Sequence, residues 1–248
     1  MRSSKLKGAV FDLDGVITRT AKVHSRAWKQ SFDRFLESYA KRTGTPQRPF
    51  DEVKDYLAHV DGKPRHDGVA DFLASRSIDA QPSEIDAVAK EKNSFYLSLV
   101  DQMGVEVFES SVSLIRILRD AGVPIAVASS SRNCAKILEV AGITEFFDTR
   151  VDGNDLSELG LPGKPAPDLF LEAAKRLGVD PRQSAVFEDA TSGVEAGRRA
   201  DYGLVIGVAR EGNREELVAA GAHYVVSDLA ELDPTELLHA RISPLEQE

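Results

Sequence analysis

The sequence predicts an α/β fold, a Rossmann-like, doubly wound and mainly parallel sheet with an inserted α-helical cap domain. Three observations predict it. Beyond residue 105, short and continuously apolar runs alternate with helix-periodic stretches, the pattern of strands buried on both faces by crossover helices. Glycine closes one such stretch after another, at Gly122, Gly142, Gly178, Gly203 and Gly221, where a helix end favours a left-handed residue. Between residues 20 and 101 these strands are missing, and aromatic and aliphatic side chains recur at helical spacing instead.

The elements follow in order. Leu6 to Phe11 is the opening strand. Trp28, Phe32, Phe35, Leu36 and Tyr39 mark a first helix of the insertion, and Thr43 to Pro49 is a loop by composition. A short helix is expected near Asp51 to Ala58, then one carrying Val69, Phe72 and Leu73. Ile85, Val88, Ala89, Lys92 and Leu99 form a third stripe, with a capping box at Ser83 and Asp86. The core resumes with a helix through Leu114, Ile117 and Leu118, and a strand from Val123 to Ala128. Helices ending at Gly142 and Gly178 follow, then an apolar run into Glu188-Asp189. Gly203 precedes the strand 204–208, and Gly221 precedes His223 to Val226. Ser243 to Glu248 is expected to be a frayed tail. The division is a core of residues 1–19 and 102–248 and a helical cap of residues 20–101.

Composition narrows the function. A formal net charge of −9 argues against nucleic acid or anionic membrane partners. No apolar run approaches spanning length, and the start Met1-Arg2-Ser3-Ser4-Lys5 leads into a strand rather than a secretory segment. Cys134 is the only cysteine, so no intrachain disulfide forms and a reducing cytoplasm is the expected location. It is read as a small residue packed on a helix.

Four polar segments fall at the expected carboxyl ends of core strands, where open α/β sheets bind ligands. Asp12 and Asp14 flank Leu13 at the end of the first strand, so their side chains share one side. One carboxylate can attack an electrophile while the other handles a proton; an acidic surface turn is the alternative. Ser129-Ser130-Ser131-Arg132-Asn133 opens a helix, where hydroxyls and free amides suit a phosphate, or the serines simply cap it. Lys164, before Pro165 and Pro167, is a rigidly presented cation or a solvated charge. Glu188 and Asp189 are paired acids that either bind a metal or start a helix.

Their order, D-x-D-G, strand-end serine, K-P-x-P-D and E-D, resembles the haloacid dehalogenase superfamily over nearly the whole chain. Within it, Phe11 to Thr18 with Thr20, His24 and Trp28, Ser129 to Asn133, Lys164 to Asp168, and Glu188 to Gly193 resemble the β-phosphoglucomutase subfamily. The resemblance implies Mg²⁺, held by Asp12, Glu188, Asp189 and the backbone carbonyl of Asp14, and an aspartyl-phosphate on Asp12. It implies that Asp14 is the general acid–base and that Ser129 and Lys164 bind phosphoryl oxygens. Arg65 matches an arginine that grips the distal phosphate, with Ser130, Ser131, Arg132 and Asn133 on the core side. Thr20 and His24 match the hinge, and Lys92 and Asn93 a polar patch facing the sugar. Solvated charge is the other reading of Arg65 and of Lys92 with Asn93, and a structural hydrogen-bonder that of His24. Trp28 is read as cap core.

Arg19 stands where an acidic residue is common, and Asp61 where sugar mutases often carry lysine; the latter bears on which sugar is used. The expected substrate is a small phosphosugar and the chain a monomer or weak dimer. The leading expectation is a phosphosugar mutase converting β-glucose 1-phosphate to glucose 6-phosphate. A sugar-phosphate phosphatase on the same scaffold is the alternative. A non-catalytic binding module is disfavoured because none of the acids is lost.

Overall fold

The computed structural model describes residues 6–61, 63–210 and 212–239; the expected tail at 243–248 lies outside them. The elements begin with β1 (Gly8–Phe11), α1 (Ala21–Thr43), a π-helical turn (Tyr56–Val60), α2 (Arg65–Ser75) and α3 (Pro82–Met103). They continue with α4 (Glu109–Asp120), β2 (Ile125–Ala128), α5 (Cys134–Ala141), β3 (Thr149–Val151), α6 (Gly153–Leu159) and α7 (Asp168–Leu177). The last are β4 (Ser184–Glu188), α8 (Thr191–Arg199), β5 (Leu204–Val208), α9 (Arg214–Ala219), β6 (Tyr224–Val226) and α10 (Pro234–Leu238). The chain forms two compact units, Met1–Arg19 with Glu106–Glu248, and Thr20–Val105.

In the first unit, the described residues build a six-stranded sheet in the order β3-β2-β1-β4-β5-β6, and every pairing is parallel. All residues of β1, β2, β4 and β5 are buried, as strands covered on both faces must be. Helices α4, α7, α8 and α9 pack on the sheet. The strand order reverses at β1, which lies between β2 and β4. In open α/β sheets ligands bind at such a switch point, at the carboxyl ends of the strands. Register then fixes which residues meet there: Phe11 pairs with both Val127 and Phe187, and its ring stacks on that of Phe187 at 4.2 Å. Asp12 therefore leaves the sheet beside Glu188.

The second unit is helical and has its own apolar cluster of Trp28, Phe32, Phe50, Val69, Phe72 and Val88 among others. Trp28 is part of this core, as expected. An ion network braces it: Asp55, with a side chain 4% exposed, accepts from Arg76 at 2.6 Å and from Arg48 at 2.8 Å.

Several local expectations are corrected. Helix α3 is capped by Gln81 and Glu84 with Pro82 in its first turn, two residues before the Ser83/Asp86 box, because proline's fixed φ favours the first helical position. It also runs through Asp101 to Met103. The turn near residues 51–58 is π-helical over Tyr56–Val60. After α8 the left-handed residue is Asp201 (φ 58°), not Gly203. Strand β3 had no expectation, because Thr149-Arg150-Val151 offers a single aliphatic residue at a sheet edge.

Candidate active site

The β1 ladder continues one residue past the strand, where the Asp12 amide donates to Phe187 O at 2.9 Å. The chain then bends at Leu13, which is fully buried, and Asp14 forms an isolated bridge with Thr18. Thr18 closes the turn by accepting from the Gly15 amide at 2.9 Å. Gly15 is needed twice: its φ is +83°, and a Cβ there would lie 1.7 Å from Asp189 Oδ2. The turns that carry Asp14 and Asp189 are thus pressed together. Asp14 and Asp189 themselves are half-buried.

Lys164 reaches the same point from the loop before α7. Its ammonium donates to Asp12 Oδ1 at 2.5 Å and also to Glu188 Oε1. All three side chains are buried, at 5%, 7% and 0% exposure for Lys164, Asp12 and Glu188. The other Glu188 oxygen accepts from the Ala190 amide at 2.9 Å. Burial pushes the Asp12 carboxyl up to about 8 against the pull of Lys164, with Glu188 and Asp14 adding to the rise. Burial acts to lower the Lys164 ammonium, but the two carboxylates outweigh it and hold it above its ordinary range. The solvated-charge reading of Lys164 is therefore excluded.

Behind Glu188, Gly193 on α8 leaves no room for a side chain: a Cβ would lie 1.8 Å from Glu188 Oε1. Gly193→Ala is expected to push Glu188 off Lys164, destabilising the fold by about 1–3 kcal/mol as overpacking does. Urea unfolding measures it, and an unchanged midpoint refutes the packing role. Gly193 lay within a recognised motif, yet its contact with Glu188 was not legible in sequence.

The third wall is the loop after β2. Ser129 is buried, and its Oγ accepts from the Ser131 amide at 3.1 Å. Ser131 Oγ accepts from the Asn133 amide at 3.2 Å, and the Ser129 amide donates to Val151 O at 3.0 Å. The expectation of free amides here is corrected for these three, since side chains and the β3 backbone already take them. The hydroxyls remain, and buried Ser130 Oγ finds no partner among the described residues. Arg132 is exposed, and its carbonyl accepts from Asn154 Nδ2 at 2.9 Å. Asn154 and Gly153, against which this loop packs, were not singled out from the sequence; the Asp152-Gly153-Asn154 turn composition was their only signal.

Thr20, His24, Arg65, Lys92 and Asn93 belong to the second unit. Thr20 precedes α1, and Arg65 is the first residue of α2 and half-buried. Lys92 is 4% exposed, which overturns the solvated-face reading for it; Asn93 is half-buried. The Lys92 ammonium lies 2.9 Å from His24 Nδ1 and 4.8 Å from the ring centres of both Trp28 and Tyr96. Donation into Nδ1 places the His24 proton on Nε2.

Two buried carboxylates share the Lys164 ammonium and two more, Asp14 and Asp189, lie on the adjoining turns; such an excess of hard oxygen donors fits a divalent cation of the Mg²⁺ or Ca²⁺ type. Among the described residues no three acidic groups are already gathered as a cage, because Lys164 lies between Asp12 and Glu188. The donor chemistry of Asp12, Asp14, Glu188 and Asp189 fits such an ion.

A doubly wound parallel sheet with acids and a buried lysine gathered at its switch point defines an α/β protein of the nucleotide- and phosphate-binding type of architecture. A family model described as haloacid dehalogenase-like hydrolase matches residues 6–201, and the chain belongs to that family. It is 44% identical over 240 residues to a β-phosphoglucomutase of Mycobacterium bovis, covering 92% of both chains. It is 29% identical over 231 residues to the validoxylamine A 7'-phosphate phosphatase of Streptomyces hygroscopicus subsp. limoneus, covering 91% of this chain and 95% of that one. A crystal structure of β-phosphoglucomutase from Clostridium difficile aligns with a TM-score of 0.76 at 28% identity, over 92% of this chain and 93% of the other. The chain is thus a β-phosphoglucomutase-like enzyme of the family. No helix among the described residues is long and apolar enough to cross a membrane.

Proposed function

We propose that the chain is a Mg²⁺-dependent phosphosugar mutase that converts β-glucose 1-phosphate to glucose 6-phosphate through glucose 1,6-bisphosphate. The observation that carries it is the Asp12 carboxylate at the end of β1, with Asp14 close enough for its charge to act on it and Lys164 held against it. An Asp12 oxygen attacks phosphorus as the bond from phosphorus to the sugar oxygen breaks, leaving an aspartyl-phosphate. Asp14 gives its proton to the departing oxygen. It takes one back from the hydroxyl that next attacks the acyl phosphate, which regenerates the Asp12 carboxylate. Ser129 and Lys164 bind the phosphoryl oxygens, Lys164 as a compact charge already desolvated in place.

Asp12, Glu188, Asp189 and the Asp14 carbonyl would hold Mg²⁺, which neutralises phosphoryl charge when bound. The helical unit serves as the cap, with Arg65 gripping the distal phosphate through its forked guanidinium and Ser130 to Asn133 assisting from the core. Thr20 and His24 form the hinge, and Lys92 with Asn93 faces the sugar. Similarity to a phosphatase favours a second reading, in which water accepts the phosphoryl group from the same intermediate.

Phosphorus NMR on purified protein given β-glucose 1-phosphate, Mg²⁺ and priming glucose 1,6-bisphosphate separates the two. Glucose 6-phosphate without free phosphate supports the mutase; stoichiometric phosphate with no isomer establishes the phosphatase. Asp14→Asn is expected to lower kcat by about 10²–10⁴-fold while calorimetric Mg²⁺ affinity is retained. Full activity in that variant refutes the role of Asp14.

A further inference from the structure

Two residues that follow β5 bond to the backbone of both acidic turns. Arg210 is the residue that follows Ala209 beyond β5, with a side chain only 9% exposed. Its Nε donates to Gly15 O at 3.1 Å and its Nη2 to Ser111 Oγ at 3.0 Å, while Nη1 bonds Asp228. The guanidinium lies flat enough on Phe108 for its carbon to approach the ring centre at 3.6 Å. Ser111, fully buried, passes the contact on by donating to Val16 O at 2.6 Å. The two carbonyls following Asp14 are therefore tied to one planar, multiply bonded group.

Three residues further on, Asn213 Nδ2 donates to Asp189 O at 2.8 Å. Its Oδ1 is buried without a partner among the described residues. Leaving an amide oxygen so placed costs stability, so the side chain is held there for what its nitrogen does. Asp189 Oδ2 lies against Gly15, so Arg210 and Asn213 bond to the backbones of two turns that pack on each other.

We infer that Arg210 and Asn213 are positioning residues, Arg210 for Asp14 and Asn213 for Asp189, acting through the backbone of each turn. The inference rests on the roles proposed above for those two acids. Arg210 works by its fork rather than its charge: a lysine keeps a cation for Asp228 but cannot span Gly15, Ser111 and Asp228 in one plane. A purely structural ion pair would tolerate that exchange.

Arg210→Lys and Asn213→Ala are compared with wild type by kinetics on β-glucose 1-phosphate, thermal unfolding, and calorimetric titration with Mg²⁺ alone. Arg210→Lys is expected to fold and to lose about 10- to 100-fold in kcat, as a misplaced catalytic group does. Its KM should stay within about threefold of wild type, the signature of an effect confined to the transition state. Asn213→Ala is expected to raise the Mg²⁺ dissociation constant about tenfold, as loss of a ligand's supporting bond does. A folded Arg210→Lys with wild-type kcat, or Asn213→Ala with unchanged Mg²⁺ affinity, overturns the inference. If Arg210→Lys fails to fold, the Mg²⁺ titration of Asn213→Ala decides alone. A wild-type chain that neither binds Mg²⁺ nor turns over fails differently, removing the reading of the site and the inference with it.

Discussion

Asp12→Asn is expected to abolish phosphoenzyme formation and to lower kcat by about 10⁴-fold or more, the scale on which removal of an attacking group acts. The substitution is nearly isosteric and removes the nucleophilic carboxyl oxygen. Stability should survive it. Burial already disfavours ionised Asp12 and pushes its carboxyl up to about 8, so a neutral amide suits the position, and Lys164 keeps Glu188 as its counter-ion. An inactive variant with a wild-type unfolding midpoint is the expected pair of results. Substantial turnover in the folded variant would mean that another group attacks phosphorus.

The second large effect is on stability as well as rate. Lys164→Met leaves Asp12 and Glu188, 7% and 0% exposed, without the cation between them. Removing one partner from a buried ion cluster costs about 3–5 kcal/mol, and loss of a charge aimed at the phosphoryl group lowers kcat by about 10²–10³-fold. The stability loss depends on pH with a definite sign. A carboxyl raised above its unfolded value binds more protons in the folded state, so stability falls as pH rises. Without Lys164 the rise at Asp12 grows, and the deficit is larger at alkaline than at mildly acidic pH. Urea unfolding across pH measures this, and a midpoint equal to wild type at every pH refutes the account of Lys164.

How much of this was legible beforehand follows from which forces act locally. Strand ends carrying Asp12, Ser129 and Glu188 were visible because buried parallel strands are written as continuous apolar runs, and the polar residue that breaks the run marks the crevice. The helical unit was visible through stripes such as Trp28, Phe32 and Leu36. Edge strand β3 was not, since half its surface faces outward and three residues carry too little pattern. Nor were contacts that join distant segments: Arg210 meets Gly15 across 195 residues, and no local propensity encodes that meeting. The same holds for Lys92, whose burial against His24, Trp28 and Tyr96 makes a charge on a helix face into an interior group. Free amides at Ser131 and Asn133 were a reasonable expectation that the neighbouring serine hydroxyls pre-empt.

The central claim is that Asp12 carries the phosphoryl group while Asp14 moves the proton. Its most direct test uses the Asp14→Asn variant, in which the phosphoryl group is both taken up and passed on slowly, incubated long enough for the phosphoenzyme to build up. The variant is quenched after mixing with glucose 1,6-bisphosphate and Mg²⁺, and its peptides are mapped by mass spectrometry. The account predicts one added phosphoryl group, located on Asp12 and absent when Asp12 is also changed to asparagine. A phosphoryl group mapped to any other residue, or retained after Asp12 is replaced, would contradict it.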